Sequence, residues 1–199
     1  MIKAIVFDFD GVIGDTYELN FFVCQMIHEG LTKKEFEDHH NGNVYEQPVI
    51  KFDSENILVH TNKMQELFDA QHFFPIKDLI ARLSQRYLLF INSSADDNSL
   101  KRYLDLGGMT AYFKGVMGGE THRLKIEKFK MLFEEYGFSN EECVFVTDTI
   151  GDIEEGKKVG VKTIAVTWGY HNRRILEGSS PTFIVDSILE LEKVIEGLS

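Results

Sequence analysis

Ile2-Lys3-Ala4-Ile5-Val6-Phe7-Asp8-Phe9-Asp10-Gly11-Val12-Ile13-Gly14-Asp15-Thr16 is the stretch whose reading decides the fold. Residues 2–7 form a short apolar run rich in Ile, Val and Phe, the pattern of a strand buried on both faces. Aspartates do not belong inside such a strand. They belong at its carboxyl end, where open α/β sheets bind ligands. If the strand persists through Phe9, alternation points Asp8 and Asp10 the same way. Two carboxylates side by side repel by about 4 kcal/mol at ~4 Å and an effective dielectric of ~20, so each raises the other's pKa unless a cation lies between them. The pair therefore invites Mg²⁺, a hard cation that takes oxygen ligands. A calcium loop is excluded: counted from Asp8, the sixth residue is Ile13 rather than Gly and the twelfth is Leu19 rather than an acid. On its own, Asp-Phe-Asp-Gly also fits a pair of turn aspartates, and the rest of the chain has to supply its partners.

Outward from this stretch, residues 15–74 show helical spacing and no strand-length alternation. Leu19, Phe22, Val23, Met26 and Ile27 lie at helical intervals up to Gly30, Thr32 and Glu35 form a capping box, and a further helix starts at Ser54. Asn41, Gly42, Asn43 and Pro48 mark a loop. The segment reads as a small helical module inserted after the first strand. From Pro75 onward, helices alternate with strands at 87–91, 113–117, 143–146, 163–166 and 183–185. Ser94 is the expected cap of the helix after the second strand, and Ser187 with Glu190 the box that opens the last one. This order implies a mostly parallel sheet covered on both faces, a three-layer Rossmann-like α/β core.

A chain of 199 residues holds one sizeable core with room for a small insertion. Its 21 basic and 32 acidic residues leave a net charge of −11, which disfavours nucleic acid and anionic membrane surfaces as partners. An anionic small substrate stays compatible, because a local metal outweighs the global field. Cys24 and Cys143 both sit in apolar runs and form no CxxC, as expected of buried thiols in a reducing compartment. No secretory signal and no membrane span is legible, so the expected location is the cytoplasm. Oligomeric state has no sequence signature.

Polar, reactive residues cluster at the strand ends: Asp8 and Asp10, then Asn92 and Ser93, then Asp148 with Asp152. In a parallel sheet those ends share one edge. Lys125, at the start of the helix after the third strand, reaches the same edge, in competition with Lys128 and Lys130. A nucleophilic carboxylate, a hydroxyl or amide donor, an ammonium and further acids are the equipment for phosphoryl transfer. The adjacent His39 and His40 do not face each other on a helix and have no third ligand at a useful spacing, so surface positions are expected for them.

DFDGVIGD (8–15), FINSS (90–94), LKIEKF (124–129) and VTDTIGDIEEGKKVGV (146–161) together resemble, in order and spacing, the four motifs of haloacid-dehalogenase-superfamily hydrolases. The tail VKTIAVTWGYH (161–171) resembles the phosphoglycolate-phosphatase-like branch, and the inserted helices match the position of that family's C1 cap. The resemblance implies a HAD-like core over residues 1–14 and 75–199, a helical cap over 15–74, and a Mg²⁺-dependent phosphatase acting on a small phosphorylated substrate. It makes Asp8 the nucleophile that forms an aspartyl-phosphate and Asp10 the general acid and base. Asp8, Asp10, Asp148 and Asp152 become the metal site. Ser93 or Asn92, Lys125 and Gly11 become the phosphate-binding set, with Ser93 preferred over Asn92 because a hydroxyl is the family's choice. The pattern departs at Thr147, where the family usually has Gly. A side chain there is expected to crowd the metal site and lower efficiency. A phosphomutase shares the same first motif, and a binding module that keeps the fold without turnover is the rival from another class.

Overall fold

The computed structural model describes residues 1–42 and 49–198. Asn43 and Pro48 of the expected loop lie outside the described residues. Six strands, β1 (Ala4–Phe7), β2 (Leu88–Asn92), β3 (Gly115–Met117), β4 (Cys143–Thr147), β5 (Lys162–Val166) and β6 (Phe183–Val185), form one sheet in the order β3-β2-β1-β4-β5-β6. Every pairing is parallel, with Ala4 opposite both Leu88 and Cys143. The chain winds outward from β1 in both directions, and the switch point lies between β1 and its neighbours β2 and β4. Ligand crevices open at the carboxyl ends of strands at such a point.

Alternation along β1 builds the layers. Ile5 and Phe7 join one cluster with Leu89, Ile91, Val144 and Val146, covered by α4 (Lys77–Leu83), α5 (Asp97–Gly107) and α9 (Ile188–Gly197). Ala4 and Val6 join the opposite cluster with Phe90 and Phe145, covered by Phe129 and Leu132 of α6 (Lys125–Tyr136). Ile153 of α7 (Ile150–Lys158) and Leu176 of α8 (Arg173–Gly178) extend that layer over β5 and β6. Each fully buried Phe or Ile contributes about 1.5–3 kcal/mol relative to exposure, so this double-faced core carries the fold.

Helices α1 (Tyr17–Ile27), α2 (Lys33–His39) and α3 (Ser54–Leu67) lie between β1 and α4 in sequence and have a small core of their own, Cys24, Phe36 and Ile50. The Thr32–Glu35 capping box forms in both directions. Tyr170, from the loop after β5, ties this group to the sheet edge: its ring meets Tyr17 at 5.1 Å, His40 at 4.7 Å and Phe36 at 6.1 Å. On α1 the buried residues are Val23 and Cys24, whereas Phe22 and Met26 face outward.

Several local expectations change. Strand β1 ends at Phe7, and the Phe9 carbonyl then accepts from the amides of Val12, Ile13 and Gly14 to close a tight turn. Helix α5 is capped by Asp96, whose carboxylate accepts from the amides of Asn98 and Ser99, in place of Ser94. Pro75 precedes α4, whose first residue is Lys77. Helix α8, capped by Asn172, was too short and too irregular in pattern to be read from the sequence.

Candidate active site

The carboxyl ends of the central strands converge on a cavity of about 610 Å³. Asp8, Asp10, Ser93, Lys125, Asp148 and Asp152 all line it. Asp8 follows β1 directly, and its amide still pairs with the Val146 carbonyl at 2.9 Å. Asp10 sits in the turn beyond, outside the strand, and both acids line the cavity.

Lys125 is the cation at the centre. Its Nζ lies 2.7 Å from Asp8 Oδ2 and 2.5 Å from Asp152 Oδ2, and the side chain is buried. Burial opposes its charge, but Asp152 and Asp8 together hold its pKa above the ordinary lysine value. Lys125 sits in the first turn of α6, and the buried Asn92 donates its Nδ2 to the Lys125 carbonyl at 3.1 Å. Asn92 thus anchors the helix start behind the cavity, and Ser93 presents itself to the cavity. Lys128, one turn along, is fully buried and donates to the carbonyls of Ser93 and Gly118, tying the ends of β2 and β3 together. Lys130 is on the surface, paired with Glu127.

Asp148 and Asp152 come from the β4–α7 connection. The Tyr170 amide donates to Asp148 Oδ2 at 2.6 Å, whereas Asp148 Oδ1 is buried with no hydrogen-bond partner among the described residues. Desolvation raises the Asp148 pKa to about 7, with the Tyr170 amide pulling the other way. Gly11 and Gly169 clamp this carboxylate: a Cβ on Gly11 would lie 1.9 Å from Asp148 Oδ2, and one on Gly169 2.2 Å. Gly11 also holds φ +71°, and its amide is spent on the Gly14 carbonyl at 2.8 Å. Its place is therefore in packing against Asp148, outside the cavity lining. Thr149 caps α7 by accepting from the Asp152 amide, which leaves the Asp152 carboxylate for the site. Thr147 turns its hydroxyl to Asp152 Oδ2 at 2.7 Å. Burial opposes ionisation of Asp152, but Lys125 and Thr147 keep its pKa below the usual carboxylate value.

Asp8 and Asp10 are both pushed upward, by desolvation first. Lys125 relieves part of the shift on Asp8, and the Thr16 hydroxyl part of that on Asp10. Four carboxylates thus share one ammonium, and one buried carboxylate oxygen lacks a donor. That is the imbalance a divalent cation corrects. No three His, Cys, Asp or Glu side chains form a ready cage among the described residues. Mg²⁺ suits such a partial site, because it keeps several waters and takes only one or two carboxylates.

The segment 15–74 and the loop after β5 supply much of the rest of the lining of the cavity. Asn20, Cys24, Phe36, His39, His40, Ile50, Phe52, His60 and Tyr170 line it. His39 and His40 are therefore not the surface residues expected: His39 is buried, and both face the cavity. His39 is the last residue of α2 and His40 its C-cap, and their rings lie 5.2 Å apart. His60 and Asn20 carry no pattern that picks them out in sequence, whereas Tyr170 falls in the Trp168-Gly169-Tyr170 stretch of the 161–171 tail.

A parallel sheet with acids at the ends of its first and fourth strands, a serine at the second and a lysine on the helix after the third defines a class. The model for haloacid dehalogenase-like hydrolases matches residues 5–166, and the chain belongs to that family. It is 23% identical over 209 residues to the phosphoglycolate phosphatase of Synechococcus elongatus, covering 99% of each chain. It is 24% identical over 219 residues to the pyrophosphatase PpaX of Oceanobacillus iheyensis, covering 98% of this chain and 97% of that one. Among solved structures, the β-phosphoglucomutase of Clostridium difficile superposes with a TM-score of 0.76 at 18% identity, covering 100% of this chain and 97% of that one. The last likeness carries the fold alone.

Proposed function

We propose that this protein is a Mg²⁺-dependent phosphatase that hydrolyses a small phosphorylated metabolite, with Asp8 as the nucleophile. The observation that carries the reading is the meeting of Asp8, Asp10, Ser93, Asp148 and Asp152 around the buried Lys125 in one cavity. Similarity to chains named as phosphatases supports the reaction class.

Asp8 attacks phosphorus and forms an aspartyl-phosphate as the ester oxygen leaves. Asp10, whose carboxyl burial pushes above the ordinary carboxylate value, acts as the general acid and donates a proton to the leaving oxygen. It then takes a proton from the water that opens the intermediate. Lys125 balances the charge on Asp8 and holds phosphoryl oxygens, and the Ser93 hydroxyl donates to them. Asp8, Asp148 and the Asp10 main-chain carbonyl would hold Mg²⁺, with Asp152 orienting its water shell. When bound, the cation neutralises charge on the transferring group. Residues 15–74 act as the cap that closes over the substrate and controls water access, and residues 1–14 with 75–199 form the core domain.

Phosphate release from a panel of phosphate monoesters tests this reading. Release that needs Mg²⁺ and falls by more than about a thousandfold in Asp8→Asn is the expected result. A folded protein that releases phosphate from none of them removes the reading.

A further inference from the structure

We propose that His40 and His60 form a hydroxyl-recognising subsite that selects phosphorylated polyols or sugars over phosphorylated carboxylic acids. This inference rests on the phosphatase reading and specifies its substrate class.

Hydrogen bonds assign the tautomers. His40 Nδ1 lies 2.8 Å from the Phe36 carbonyl, which can only accept, so Nδ1 carries the hydrogen and Nε2 the lone pair. His60 Nε2 lies 2.8 Å from Asn20 Oδ1, and the same amide turns its Nδ2 to the Tyr170 hydroxyl at 3.0 Å. The Asn20 oxygen therefore accepts from Nε2, and His60 Nδ1 carries the lone pair. His39 is the opposite case: its Nδ1 accepts from the Ile50 amide at 3.3 Å, leaving Nε2–H as a donor. The imidazoles thus bring two acceptor nitrogens and one donor to the wall of the cavity.

Burial first, and then neighbouring imidazoles, lower His40 to about 3 and His60 to about 4, so both are neutral at pH 7. A neutral acceptor nitrogen pairs with a hydroxyl and has nothing to offer a carboxylate oxygen, which at these two imidazoles would lose its water without gaining a donor and would find only the single neutral His39 Nε2–H beside them. Asp96, Glu120 and Glu155 border the same cavity and add repulsion against a second anion. Phe36, Phe52 and Tyr170 offer apolar surface to the C–H faces of a sugar. Lys125, paired with Asp8 and Asp152, serves the phosphoryl end of the cavity. Arg123, which is exposed, also borders the cavity and is a cation to which a carboxylate would turn.

The test compares kcat/KM for ribose 5-phosphate and glycerol 1-phosphate with that for 2-phosphoglycolate, using the Mg²⁺-loaded wild type, His40→Phe and His60→Phe. We expect the wild type to prefer the hydroxylated esters at least tenfold. Either substitution should cut that ratio about tenfold, through KM rather than kcat, with His60→Gln recovering part of the loss because an amide oxygen can still accept. A wild type that prefers 2-phosphoglycolate overturns the inference in favour of Arg123. So does a ratio unmoved in both Phe variants when circular dichroism shows them folded. If a Phe variant fails to fold, the wild-type preference and His60→Gln decide. Failure to cleave any ester, p-nitrophenyl phosphate included, would instead strike the phosphatase reading itself.

Discussion

Replacing Thr147 by Val removes one hydroxyl and almost no volume. The Thr147 hydroxyl donates to Asp152 Oδ2 at 2.7 Å, at a buried point where Lys125 is the other donor to the same oxygen. A hydrogen bond to a charged group contributes about 1.5–3 kcal/mol. Val is as suited to a buried strand as Thr, so little offsets the loss. At about 2–4 °C per kcal/mol for a chain of this size, Thr147→Val should melt about 3–12 °C below wild type at pH 7. The sign with pH follows from Asp152. Its folded pKa lies below the usual value, so its contribution is fully present above about pH 4 and lost as pH falls further. The gap between variant and wild type should therefore be constant from pH 5 to 8 and close only in stronger acid. If Asp152 orients the Mg²⁺ shell, the half-saturating Mg²⁺ concentration should also rise by about tenfold. Thermal melts and Mg²⁺ titrations of activity measure both. Thr147→Gly separates the structural account from simple crowding: crowding predicts a faster enzyme, and the observed hydrogen bond predicts a slower and less stable one. A Val variant that melts with the wild type, or a Gly variant with higher turnover, would refute the reasoning.

Two further effects follow from buried titratable groups. Burial lowers the Lys128 pKa to about 8, so the unfolded chain binds more protons between about pH 8 and 10.5 and stability from this group rises across that window. Wild type should gain about 3 kcal/mol relative to Lys128→Met between pH 7.5 and 10.5, read by urea denaturation, and a constant difference would contradict the burial of that amine. His40, His60 and His171 have folded pKa values of about 3, 4 and 4, all below the unfolded value, so their contribution is complete above pH 6.5 and is lost as pH falls towards 4. His60→Phe should flatten that acid limb of the stability profile, and an unchanged limb would show that His60 titrates as an exposed imidazole.

Residue type and period made the core legible before any coordinates. The apolar runs at 2–7, 87–91 and 143–146 read as buried strands, and the polar residues at their carboxyl ends, Asp8, Asn92 with Ser93, and Asp148, mark one edge of the sheet. The placement of Asp8, Asp10, Lys125, Asp148 and Asp152 around one cavity follows from strand order, which alternating helices and strands nearly dictate. Local chemistry was harder to read. Whether Ser93 or Asn92 faces the cavity depends on a one-residue register, and it is resolved by Asn92 turning to the Lys125 carbonyl. His39 and His40 are not the surface residues their spacing suggests, because sequence spacing tests only contacts within one helix. His40, His60 and Tyr170 meet across 20 to 130 residues, and Asn20 joins them through side-chain hydrogen bonds that no periodicity encodes. Helix α8 was missed because six residues make too little of a turn pattern to register.

The central claim is that Asp8 carries the phosphoryl group. The direct measurement is acid quench during turnover with Mg²⁺, followed by peptide mapping by mass spectrometry. The account predicts one phosphoryl group on the peptide containing Asp8, absent from Asp8→Asn, and accumulating when Asp10→Asn slows hydrolysis of the intermediate. A phosphoryl group on another residue, or full turnover by Asp8→Asn, would contradict it.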